Sequence, residues 1–80
     1  MKQQTYAFSI VLRQTELSDA ECERLCEAGC DDGTIVTREG RTYISFDRQA
    51  GSLESAIRSA TDDVHSAGFQ IDHVEMDLLV

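Results

Sequence analysis

The 80-residue chain carries 15 acidic against 7 basic side chains, a formal net charge of −8, with 41% hydrophobic residues and no proline. That length suits one small domain with a thin core, and the acidic balance argues against direct binding to nucleic acid. No apolar run reaches the roughly 18 residues of a membrane span, and the alternation that starts at Thr5 leaves no room for a signal peptide, so a cytoplasmic protein is expected.

Residues 5–13 alternate, with Tyr6, Phe8, Ile10 and Leu12 on one side and Ala7, Ser9, Val11 and Arg13 on the other. This is the pattern of a half-buried strand. Ser18-Asp19-Ala20-Glu21 forms a capping box, with Leu17 placed to staple onto Cys22. The helix it opens sets Cys22, Leu25, Cys26 and Gly29 at i, i+3, i+4 and i+7, an expected inward stripe. Gly29 supplies a left-handed stop, and Cys30 folds back on the last turn. Asp31-Asp32-Gly33 then turns the chain into two short strands, 34–38 and 41–47, joined by the hairpin signal Glu39-Gly40. Ile44 and Phe46 point inward, and residues 47–51 read as a connection.

Ser52 caps a second helix with the inward stripe Leu53, Ala56, Ile57, Ala60, Val64 and Ala67, and Gly68 ends it. The last strand runs from Phe69 towards Val80, but its phase slips. Phe69 and Ile71 alternate on odd numbers, whereas Val74, Met76, Leu78 and Val80 alternate on even ones. A bulge at Asp72-His73 would reconcile them. The order β-α-β-β-α-β predicts an α+β, ferredoxin-like split β-α-β domain over residues 1–80. Its sheet would be antiparallel, in the order 4-1-3-2, with both helices on one face.

Charge is concentrated in residues 16–32, where Glu16, Asp19, Glu21, Glu23, Glu27, Asp31 and Asp32 face a single base, Arg24. Only Asp19 and Glu21, in the first helical turn, suit the helix dipole; Asp31 and Asp32 follow the unfavourable end. Local helix physics does not explain this run, whereas a basic partner would. Glu16, Asp19, Glu23, Glu27, Asp31 and Asp32 are therefore the expected partner-binding residues. Cys22, Cys26 and Cys30 lack the loop-displayed pairs of structural zinc sites and read as small hydrophobes, so neither metal nor cofactor is expected. His65 and His73 have no nucleophile or phosphate loop beside them. An RNA-binding surface of this fold stacks bases on exposed aromatics, and Tyr43 alone stands at such a position.

Glu27-Ala28-Gly29-Cys30-Asp31-Asp32, Ile44-Ser45-Phe46-Asp47-Arg48-Gln49-Ala50, the run from Ser52 to Ala60, Asp63-Val64-His65-Ser66-Ala67-Gly68 and Val74-Glu75 form one set. With it the chain resembles a family of small, acidic, poorly characterised bacterial proteins. Longer members of that family continue into a helix-turn-helix segment, which would begin about where this sequence ends. The resemblance implies a link to DNA-associated regulation and implies no catalytic residues. In type, a small acidic chain of this kind also resembles phage-encoded inhibitors such as anti-CRISPR proteins. The expectation is a non-enzymatic module that occupies the basic, nucleic-acid-binding surface of a larger protein. The alternatives are an antitoxin-like or regulatory accessory domain lacking its helix-turn-helix and, third, a small-molecule sensor. A homodimer is also expected, through Tyr43 on the open sheet face or Leu78 on the last strand.

Overall fold

The computed structural model describes residues 4–14 and 16–76. Among the described residues six regular elements follow one another: β1 (Gln4–Leu12), α1 (Asp19–Leu25), β2 (Gly33–Arg38), β3 (Arg41–Ala50), α2 (Leu53–Ser66) and β4 (Ile71–Met76). A π-helical turn, Cys26–Cys30, continues α1. The strands form one antiparallel sheet in the order β2-β3-β1-β4, with β2 and β4 at its edges. Among the described residues no helix is long and apolar enough to cross a membrane.

Alternation along the two central strands builds the core. Phe8 pairs with Phe46 and Ile10 with Ile44, and the two phenyl rings stack at 5.4 Å between centroids. Leu25 from α1, Ala56, Ala60 and Val64 from α2, and Cys30 and Phe69 close over them in one buried cluster. The chain reaches β4 through a Schellman turn. Gly68, at φ +92°, donates to the His65 carbonyl (2.9 Å), and Phe69 donates to that of Val64 (3.3 Å). In β4 the register slips where expected: Val11 faces His73 but Leu12 faces Ile71, leaving Asp72 as the extra residue. The bulge returns both Ile71 and Val74 to the core side.

Both helix starts form as expected. Ser18 Oγ accepts from Glu21 N while Ser18 N donates to the Glu21 carboxylate, and Ser52 Oγ accepts from Ser55 N. Three expectations are corrected. Helix α1 ends at Leu25 and a wider turn takes over, with Gly29 at φ +117° reversing the chain. Cys26 is exposed and Cys22 only half-buried, leaving Cys30 as the buried cysteine. The buried face centres on Leu25, and Cys26 lies roughly 100° further round the helix. Finally, β3 extends beyond Asp47 to Ala50, because Tyr6, Thr5 and Gln4 remain to pair with residues 48–50.

Candidate functional site

The extension of β3 puts Arg48 on the same sheet face as Phe46 and Ile44, where it is only 9% exposed. Its guanidinium lies over the Phe46 ring, 5.0 Å from the centroid. Nε and Nη2 donate to the two carboxylate oxygens of Asp32, each at 2.8 Å, a bidentate fork. Nη2 also donates to the Gly29 carbonyl (2.7 Å), and Nη1 donates to Asp63 Oδ2 (2.9 Å) and Ser59 Oγ (3.1 Å). All five N–H donors of the arginine are thereby engaged.

One side chain thus joins four parts of the fold: β3, the π turn, the turn after it, and α2. The Gly29 carbonyl belongs to the end of a helical segment, where the aligned peptide dipoles favour a cation. Glycine is required there for two reasons. The positive φ excludes most side chains, and a Cβ would stand 2.7 Å from Asp63 Oδ2. A backbone bond from Asp47 N to the Asp32 carbonyl (3.3 Å) closes the clasp.

The charges hold each other in place. The bond from Arg48 keeps the Asp32 carboxyl below its ordinary range, and the two aspartates raise the arginine above its own. Burial, and next the charge of Asp63, push the neighbouring Cys30 thiol up to about 11, so it stays protonated and a poor nucleophile at neutral pH. An open depression of about 630 Å³ lies over the clasp, lined among others by Asp31, Asp32, Asp47, Asp63 and Gln49. With the arginine's donors committed inward, this surface offers mainly carboxylate oxygens.

The expected partner-binding residues separate into two groups. Glu16, Asp19, Glu23, Glu27 and Asp31 are exposed, and none makes an ion pair with another described residue. Asp19 and Glu23 stand one turn apart on α1, Glu27 sits on the π turn and Asp31 directly follows it. Asp32 differs, since both its oxygens bind Arg48. Glu21 is also engaged: hydrogen bonds from Gln14 and then from the Ser18 amide hold its carboxyl low. Arg24, the lone base of the segment, lies over the Phe69 ring at 5.1 Å and 3.9 Å from Glu21. Tyr43 is half-buried on the face away from the core, and Leu78 lies outside the described residues.

Sequence reasoning passed over Gly29, Arg48, Ser59 and Asp63 as a unit. The signal was present in a different form. Four of the quoted motifs each contribute to the clasp: Gly29 and Asp32 from the first, Arg48 from the second, Ser59 from the third and Asp63 from the fourth. Comparison with known protein families, curated proteins and solved structures finds no match.

Proposed function

We propose that this chain is a non-enzymatic, acidic binding module. Its α1 and π-turn flank would dock on the basic, nucleic-acid-binding surface of a larger protein and block it, in the manner of an anti-CRISPR inhibitor. The observation that carries this reading is the group of five exposed acids, Glu16, Asp19, Glu23, Glu27 and Asp31, without internal ion pairs among the described residues. Asp19 and Glu23, one turn apart, repel by a few tenths of a kcal/mol, a penalty that a Lys/Arg surface would reverse. The Arg48 clasp anchors the turn that displays Glu27 and Asp31, so little ordering entropy remains to be lost on docking. A ferredoxin-like arrangement of the domain goes with this reading and is supported by the strand order β2-β3-β1-β4. Three free cysteines favour a reducing, cytoplasmic setting.

The test uses the chain as bait. Reversing Glu23, Glu27 and Asp31 to Lys should leave the fold intact and slow association with the captured partner, with a steep salt dependence in the wild type. Unchanged affinity in the folded triple variant would remove this face from the mechanism. A second reading, an antitoxin-like or regulatory accessory domain, is favoured by the convergence of four family-like motifs on one arginine. A mobility shift of DNA by the isolated chain would support that reading over the inhibitor.

A further inference from the structure

The sheet ends in two edges, and they are guarded differently. At β4, Asp72 bulges out of the strand, and the carboxylates of Asp72 and Glu75 flank His73 at 2.7 and 3.0 Å. At β2 the register with β3 runs unbroken from Gly33 to Arg38, and Thr34-Ile35-Val36-Thr37 is β-branched throughout, with neither charge nor proline. The hairpin fixes which backbone groups lie outside. Glu39 and Gly40 both have positive φ, so a two-residue turn closes it and Arg38 and Arg41 form a hydrogen-bonded pair. Bonded and non-bonded pairs alternate along an antiparallel ladder, which points the N–H and C=O groups of Gly33, Ile35 and Thr37 away from β3. No other described residue forms a backbone bond to them. Thr34 and Thr37 stay exposed along the same edge.

The connection from β1 to β2 skips β3, and so carries α1 and the π turn over the β2 half of the sheet. Arg24 turns back over Phe69, which follows α2. Asp19 and Glu23 come roughly 140° and 100° round the helix from it, towards the β2 side, and Glu27 and Asp31 follow towards the Gly33 end. We propose that the β2 edge takes up an extended segment of the partner as a fifth strand, with Lys or Arg at alternate positions. Residues of that segment opposite Gly33, Ile35 and Thr37 exchange backbone hydrogen bonds with them. Their side chains turn to the helix side, because Ile35 packs on the core and a Cβ at Gly33 would stand 2.6 Å from Ile44. Basic side chains at those positions rise to the acids of α1 and the π turn. The positions between are uncharged, since they lie on the open face beside Thr34, Val36 and Arg38. Charge complementarity selects this occupant over a second copy, because pairing β2 with β2 would lay two acidic flanks side by side. The inference rests on the proposed docking of the acidic flank and adds which element of the partner docks and how its backbone is held.

The probe is a peptide of about eight residues alternating Lys and Thr, read by amide hydrogen exchange of the full chain. With the peptide about tenfold above its Kd, exchange at Ile35 and Thr37 should slow on the order of tenfold, while the β4 amides keep their rates. Methylating the backbone nitrogen of every lysine in the peptide should abolish that protection, and so should Glu in place of Lys. Asp19→Lys with Glu23→Lys, both exposed, should weaken peptide binding on the order of tenfold. Ile35 and Thr37 amides left unprotected by peptide on the order of millimolar, or equal protection by the methylated or the acidic peptide, would overturn the inference. So would protection of β4 instead, or a wild-type dimer in which both amides are already protected. The peptide comparisons leave the chain unaltered, so they decide even where the double variant fails to fold. None of these failures touches the docking of the acidic flank, which stands or falls on the captured partner and the triple Lys variant.

Discussion

Arg48 reaches its partners because β3 continues beyond the point where its hydrophobic alternation ends. The even positions Ile44 and Phe46 are apolar, and the next even position carries the arginine on the same inward face. A buried guanidinium is tolerable only when every donor is matched, and here all five are. Truncation would strand Asp32, Asp63 and the Gly29 carbonyl. Arg48→Ala should therefore destabilise by about 2–3 kcal/mol in urea titration, less than for a fully buried pair, because the Asp32 and Asp63 side chains stay 33% and 30% exposed. Arg48→Lys should recover only part of the loss, since an ammonium cannot reproduce the fork. The sign of the pH dependence follows from Asp32. Its folded pKa is depressed, so its contribution is fully present above the unfolded value of 3.8 and disappears as pH falls through the lower folded one. Asp32→Asn should lower stability at neutral pH and flatten the acid limb of the profile. An unchanged acid limb would show that the clasp does not control it.

At the scale of elements, the readable parts were those governed by local rules. The capping box at Ser18, the cap at Ser52, the Gly68 stop and the slip at Asp72 are each decided within a few residues, and each forms. The two misread stretches depend on distant partners. Residues 48–50 extend β3 beyond the expected end at Asp47 only because the start of β1 lies alongside, and Arg48-Gln49-Ala50 carries no alternation to announce it. The π turn ends as it does because Arg48 binds the Gly29 carbonyl, a contact spanning 19 residues. The candidate site was legible as a set of motifs but not as a geometry, since no helix or strand period links Asp32, Arg48 and Asp63. The Glu39-Gly40 hairpin offers a cleaner local test. Both residues have positive φ, 53° and 73°, the pattern of a type I′ turn, which strains glutamate and suits asparagine. Glu39→Asn should raise stability by about 0.5–1 kcal/mol. No gain in the urea midpoint would mean that the exposed turn relaxes its strain.

For the molecule as a whole, charge is distributed against its own stability. Residues 16–32 hold seven acids and one base within a total of −8, and the one interior cation among the described residues, Arg48, is taken up by Asp32 and Asp63. The exposed carboxylates of α1 and the π turn therefore repel one another without relief from within the described fold. Side chains one helical turn apart are about 6 Å from each other, inside the Debye length of roughly 10 Å at 0.1 M salt, so added salt screens them. The clasp is mostly enclosed and responds far less. The thermal midpoint of the wild type should accordingly rise as sodium chloride goes from about 10 mM to about 0.5 M. Reversal of Glu23, Glu27 and Asp31 to Lys should raise the midpoint at low salt and reduce its salt slope. The same three changes are expected to weaken docking through slower association, so one variant should gain stability while binding less tightly, as expected where function is placed on a strained surface. A wild-type midpoint that stays flat or falls over this salt range would mean that the acidic flank costs the fold nothing, and would remove repulsion as the reason to seek a basic partner.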